Sequence, residues 1–345
     1  MRWGWLLLVS VLVAGCVLDA PAPATTPTGA TPVATPSATP TAPTASPPAP
    51  TFDGARAYAH VVAQVHDENG EPRYRVPGTE GNREVARYID ATMSALGYEV
   101  SWHHFNATYG CERTPMHNIV AERAGTSGKL IVFAAHYDTR PVGDKDPDPS
   151  KHDLPILGAN DGGSGVGVLL ELARVLPRDT AHGVRFLFFD GEDGGGYRAK
   201  EGCRTDWILG SRAYAESLSA AELAAIDALV LVDMVGAPDL VLPREGYSAE
   251  DARAAAVQDE VYTVGEMLGH DQFLDRIGAK ILDDHIPFLE RQVAAIDLIH
   301  TVPGDPRVFP RWHHTHDDDL DAVSADSLAV VGETLEVWFR ERASR

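Results

Sequence analysis

The sequence predicts an α/β domain built on a largely parallel β-sheet. Short apolar runs at residues 129–135, 184–189, 228–232 and 293–299 read as strands buried on both faces. Between them lie stretches with the apolar spacing of helices, and strands alternating with helices are the pattern of a parallel sheet with crossover connections. Polar residues also recur where strands end: His136, Glu192-Asp193 and Asp233 each close an apolar run. Open α/β sheets bind their ligands just beyond the carboxyl ends of strands.

The elements can be justified in chain order. Arg2 precedes an apolar run over residues 5–13, too short to span a bilayer, and Ala14-Gly15-Cys16 follows. Small residues before a cysteine resemble a bacterial lipobox. Residues 1–15 are therefore expected to be a signal peptide and Cys16 the lipidated first residue, with an ordinary cleaved signal as the alternative. Residues 16–51 are almost wholly Ala, Pro, Thr and Ser, a disordered linker too poor in large apolar side chains to fold. The protein is thus expected to be exported and lipid-anchored to a bacterial membrane, periplasmic or at the cell surface. A single domain follows over residues 52–345.

Within that domain, apolar residues Val85, Tyr88, Ile89, Met93 and Leu96 form a helical stripe over residues 81–97, ended by Gly97. Residues 98–105 alternate weakly, as an edge strand does. The strand at 129–135 leads to His136-Tyr137-Asp138, and residues 141–157 form a Pro- and Asp-rich loop. A glycine-opened helix is expected at 162–176, and further helices at 211–225, 252–268, 286–290 and 326–342. The strand at 184–189 runs into the acidic turn Asp190-Gly191-Glu192-Asp193.

Composition bounds the function. Fifty acidic against 29 basic residues give a formal charge of −21, which argues against a nucleic-acid partner, since phosphate contacts need clustered Lys and Arg. After Cys16 only Cys111 and Cys203 remain; they allow one disulfide in an oxidising compartment, and the sequence leaves the pairing open.

Several motifs fail on inspection. The stretch 144–148 mimics a calcium loop but has Pro149 where the turn glycine belongs and Pro155 where a bidentate Glu would sit. Residues 162–166 resemble a nucleophile elbow without its last glycine, and the dinucleotide fingerprint lacks its third glycine. What remains is His136 and Asp138, Asn160-Asp161-Gly162, Glu192 and Asp193, Asp233, and Trp312-His313-His314-Thr315. Singly, each is more often a cap or a buried hydrogen-bonded group. Together they supply the imidazole and carboxylate ligands that a zinc ion takes, with Glu192 spare as a base.

This series resembles the zinc aminopeptidase-like superfamily and, within it, the glutaminyl cyclases. His136-Tyr137-Asp138, Asn160-Asp161-Gly162, Glu192-Asp193, Asp233 and His314-Thr315 match the superfamily pattern. Asp283-Asp284-His285-Ile286-Pro287-Phe288 is similar to a hallmark of the cyclase branch, as are Tyr74-Arg75-Val76-Pro77-Gly78 and Val232-Asp233-Met234-Val235-Gly236. Trp207-Ile208-Leu209-Gly210-Ser211 and Glu-Asp in place of Glu-Glu resemble the bacterial members. The resemblance spans about residues 70–330 and implies a twisted, mixed sheet with helices on both faces.

It also implies roles. Asp161, Asp193 and His314 would hold one zinc ion, Glu192 would be the acid/base, and Asp233 with Asp283 would form an acidic network beside it. The substrate would be a peptide or protein with N-terminal glutamine, cyclised to pyroglutamate with loss of ammonia, and Trp207 or Trp312 would wall the slot. A zinc aminopeptidase is the alternative, in which His136 and Asp233 complete a second zinc site with Asp161 bridging. A non-catalytic binding lipoprotein would require a lost ligand or base, and none is missing. Two departures stand out. One extra His separates Trp312 from Thr315, so counting from Thr315 and Asp318 selects His314 and counting from Trp312 selects His313. Asp297 falls where vertebrate-type cyclases carry a His.

Overall fold

A computed structural model describes residues 49–305 and 307–345; the expected signal segment, the lipidated Cys16 and the linker up to residue 48 lie outside the described residues. The domain begins where Thr51 and Phe52 donate their backbone N–H groups to the buried carboxylate of Glu336, each at 2.8 Å. From there run α1 (Gly54–Val65), α2 (Glu80–Ala95), β1 (Glu99–Tyr109), β2 (Glu112–Arg123), β3 (Leu130–His136), α3 (Gly163–Val175) and β4 (Gly183–Phe189). The second half holds α4 (Leu209–Ser217), α5 (Ala220–Ala225), β5 (Ile226–Asp233), β6 (Leu242–Arg244), α6 (Gly246–Glu250) and α7 (Ala252–Leu268). It ends with β7 (Phe273–Ile277), α8 (Ile286–Leu289), β8 (Ala295–Ile299) and α9 (Ala325–Arg342).

Six strands form one sheet in the order β1-β2-β4-β3-β5-β8. The pairs β4-β3, β3-β5 and β5-β8 are parallel, whereas β1-β2 and β2-β4 are antiparallel. The sheet is therefore mixed, as the resemblance implies. Its four parallel strands are the apolar runs read from the sequence. The antiparallel β2 is not legible there because its first half is polar and carries Pro115, and only Met116 and residues 118–121 are buried. The 98–105 edge strand extends to Tyr109.

Alternation along the strands gives the sheet two apolar faces. Ile131, Phe133, Phe186, Phe188, Val230 and Ile296 pack against α1, α2, α3, α7 and α9. Val132, Ala134, Leu187, Phe189 and Leu231 pack on the opposite face against Tyr214 and Ala215 of α4 and Phe288 of α8. Helices thus cover both faces.

Capping explains most helix ends. Thr79 caps α2, and Ser324 caps α9, which carries Arg340 and Arg342 in its last turn. The helix expected over 211–225 is two helices, because Ser219 and Glu222 form a reciprocal capping box that starts α5 afresh. No described helix is long and apolar enough to cross a membrane.

Candidate metal centre and active site

The carboxyl ends of β3, β4 and β5 deliver the site. β3 ends in His136, and two residues on, the Asp138 carboxylate accepts the backbone N–H groups of Glu192 (3.0 Å) and Asp193 (3.2 Å). One side chain thereby fixes the turn after β4. Asp190, at the start of that turn, is buried and accepts from Asn82 and from the His117 N–H, so its role is structural. Asp318 does for the turn before α3 what Asp138 does for the turn after β4. Its carboxylate accepts the N–H groups of Asn160 (2.8 Å) and Asp161 (3.2 Å). Gly162 is required there, since a Cβ would lie 2.4 Å from the His136 carbonyl oxygen.

Non-glycine residues with positive φ flank the same site: Ile208 (φ 55°) beside Trp207, Met234 (φ 48°) after Asp233, and His314 (φ 62°) itself. Such backbone is costly and persists where the surroundings impose it, which is characteristic of functional sites.

Two groups of ligand atoms converge on Asp161. His314 Nε2 lies 3.0 Å from Asp193 Oδ1 and 3.7 Å from Asp161 Oδ2, and His313 Nε2 lies 3.8 Å from Asp161 Oδ2. On the other side His136 Nε2 is 3.1 Å from Asp161 Oδ1 and 3.2 Å from Asp233 Oδ1. Ligand atoms of Asp161, His313 and His314 lie within 4.8 Å of one another, as do those of His136, Asp161 and Asp233.

This donor set fits a zinc ion. Burial, aided by the Arg140 and Lys145 cations, lowers His314 to about 3, so its ring is neutral and able to ligate. Asp193 Oδ2 is buried without a hydrogen-bond partner among the described residues, the condition of a group that awaits an ion. Burial tends to raise Asp161, but His136 with His313 and His314 outweighs it, and the carboxyl is held below its usual range.

A cavity of about 320 Å³ opens onto these groups, with Glu192, Asp233, Asp283 and Trp207 in its wall. Burial raises Glu192 well above the usual carboxylate range, with His136 opposing and Asp283 and Asp193 adding to the shift. Burial likewise raises Asp233 to about 6 and Asp283 to about 7. Asp283 Oδ1 accepts the Asp284 N–H at 2.6 Å, and Oδ2 has no partner among the described residues. Three carboxyl groups with raised affinity for protons thus face one space.

Trp207 stacks on His314 with ring centroids 6.0 Å apart and 17° between planes, and the Arg140 guanidinium lies over the indole at 5.2 Å. Gly195 lets the indole lie against the backbone, since a Cβ there would sit 1.7 Å from Trp207 Cδ2. The loop bearing Trp207 is tied to the β1-β2 turn by a disulfide between Cys111 and Cys203, with Cα atoms 5.0 Å apart.

The structure brings Asp161, Glu192, Asp193, Asp233, Asp283, His136 and His314 to one centre. Trp312 does not line the cavity. It stacks on His300 at 6.4 Å and packs with Met234, Ile281 and Ile299, while Phe309 takes the wall position. Arg140, Lys145 and Phe309 are not singled out from the sequence. They sit in loops, where no periodicity marks them; Asp318 is visible, as one of the acids after Thr315.

Comparison with known proteins places these observations. The profile of peptidase family M28 matches residues 118–338. The chain is similar to a glutaminyl-peptide cyclotransferase-like protein of Bos taurus, 27% identical over 293 residues, covering 77% of this chain and 72% of the bovine one. Among solved structures it is similar to the Porphyromonas gingivalis glutaminyl cyclase, with a TM-score of 0.77 and 31% identity over 85% of this chain and 100% of that one. A Zn-dependent exopeptidase from Parabacteroides distasonis is equally similar in fold, with a TM-score of 0.77 and 30% identity over 86% of this chain and 100% of that one.

Proposed function

The chain belongs to peptidase family M28, and from that premise we propose that it is a glutaminyl-peptide cyclotransferase, converting N-terminal glutamine of peptides or proteins to pyroglutamate with release of ammonia. The observation that carries this reading is the convergence of Glu192, Asp233 and Asp283 on one cavity. Asp283 opens the stretch 283–288 that resembles the cyclase branch, and its free carboxyl oxygen is placed beside the β4 turn rather than spent on structure. Intramolecular aminolysis must carry a proton from one nitrogen to another, and a group of carboxyls with raised affinity for protons suits that task.

Asp161, Asp193 and His314 would hold one zinc ion. When bound, it supplies Lewis acidity toward the side-chain amide. Glu192 takes a proton from the α-amino nitrogen as that nitrogen bonds to the amide carbon, and returns it to the amide nitrogen as that carbon–nitrogen bond breaks. One bond forms, one breaks, ammonia leaves, and no water is consumed. Asp233 and Asp283 accept hydrogen bonds from the departing nitrogen and hold Glu192 in place. Trp207 walls the slot that receives the glutamine side chain.

The choice of His314 over His313 is supported by Lys145, whose ammonium lies 2.8 Å from His313 Nδ1. An ammonium only donates, so Nδ1 accepts and the His313 proton sits on Nε2, leaving no lone pair there for a metal. His314 Nδ1 has no such neighbour.

A second reading, a zinc aminopeptidase, is favoured by the buried trio His136, Asp161 and Asp233, which would take a second metal ion. One experiment separates the two: the purified domain is offered an N-terminal Gln peptide and a Leu anilide, with zinc per chain counted in parallel. Ammonia from the first alone at one zinc supports the cyclase, and Leu hydrolysis at two zincs overturns it. The proposal includes export and attachment to a bacterial membrane through lipid on Cys16, with residues 16–51 as a tether; Ala14-Gly15-Cys16 and the linker composition support it.

A further inference from the structure

We infer that Lys145 is a specificity-determining residue: a fixed cation at the cavity mouth that receives a carboxylate carried by the peptide just beyond its N-terminal glutamine. The identity of the reacting residue rests on the cyclase reading; the rest is geometry. The cavity is acidic at its base, where Asp161, Glu192, Asp233 and Asp283 lie, and three cations, Lys145, Lys280 and Arg307, line it elsewhere. Two of the three are already paired: Lys280 with Glu250 at 2.6 Å, and Arg307 with Asp305.

Lys145 is different. It is exposed, and no carboxylate oxygen of the described residues lies within 4.0 Å of its ammonium. It is nevertheless held in place. Its backbone N–H donates to the His314 carbonyl (3.2 Å), its ammonium meets His313 Nδ1 (2.8 Å), and the same ammonium lies 5.6 Å from the centroid of the Phe309 ring. One of three ammonium protons is engaged, and the others are free to meet an acceptor. A side chain already ordered loses little entropy on binding. On a chain of charge −21, an approaching carboxylate is repelled by the summed field, so a fixed unpaired cation decides where it can settle.

The carboxylate has two sources: an acidic side chain at the second residue, or the C-terminus of a dipeptide. The test compares Gln-Glu-Ala amide with Gln-Gln-Ala amide, and Gln-Ala with Gln-Ala amide, by kcat/KM in the intact enzyme and in Lys145→Gln and Lys145→Glu. Binding of the matching pyroglutamyl peptides is measured by calorimetry. The charged member is expected to lead by about fivefold in one or both pairs, the upper end for an exposed ion pair. The first pair reports the side chain and the second the C-terminus. The lead should shrink with salt, vanish in Lys145→Gln and invert in Lys145→Glu. Equal constants within both pairs, or a ratio unmoved by Lys145→Glu, would overturn the inference. Absence of ammonia from every Gln peptide would remove the cyclase reading, while the product-binding ratios still decide the role of Lys145.

Discussion

His314 Nε2 lies 3.0 Å from Asp193 Oδ1, so the last loop of the chain and the turn after β4 meet at one point. The neighbouring His313 faces the same carboxylate of Asp161, but the Lys145 ammonium fixes its proton on the nitrogen nearest that group. His314→Ala is therefore expected to lose its zinc and His313→Ala to keep it. Metal per chain after dialysis against a weak chelator checks this; zinc retained in the first variant and lost in the second would reverse the assignment.

Glu192 shares the cavity with Asp233 and Asp283 but is assigned no bond to a metal. Glu192→Gln keeps the shape and removes proton transfer. Turnover of a Gln peptide should fall by about 10²–10⁴-fold, the usual worth of a positioned acid/base, with zinc content unchanged. Wild-type turnover in this variant would take Glu192 out of the mechanism.

Much of this site was legible because its residues lie at the ends of apolar strands. His136, Glu192 and Asp233 each follow a run whose burial on both faces is written in its composition. The supports were not. Arg140 holds Asp144 and the Asp193 carbonyl from within a loop, and Lys145 hangs from His314, 169 residues away in the chain, a pairing no local pattern encodes. Trp312 shows the converse limit. Its motif points to the cavity wall, yet its ring stacks on His300 while Phe309 lines the cavity.

Cys111 sits in the β1-β2 turn and Cys203 in the loop leading to Trp207, and the Gly110 N–H donates to Thr205 Oγ1 at 2.8 Å beside them. The bond thus bears on the wall of the slot more than on the acid/base group. Cys111→Ser/Cys203→Ser is expected to raise KM about fivefold with a smaller change in kcat, the signature of lost ground-state binding. Steady-state kinetics on the double variant checks it; a fall in kcat at constant KM would place the effect elsewhere.

His60 couples α1 to α2 through Nδ1, 2.6 Å from the Tyr88 hydroxyl. Burial, with Arg56 adding, lowers its pKa from 6.5 to about 4. The sign follows from linkage. Between these two values the unfolded chain binds the proton and the fold does not, so stability is full above pH 6.5 and is lost as pH falls through about 4. Allowing for partial exposure, the loss is on the order of 1–2 kcal/mol. Urea midpoints at pH 7, 5.5 and 4 should therefore drop more steeply for the natural protein than for His60→Gln, whose side chain keeps a polar partner for Tyr88 but does not titrate. Parallel slopes for the two proteins would show that His60 carries no part of the acid sensitivity.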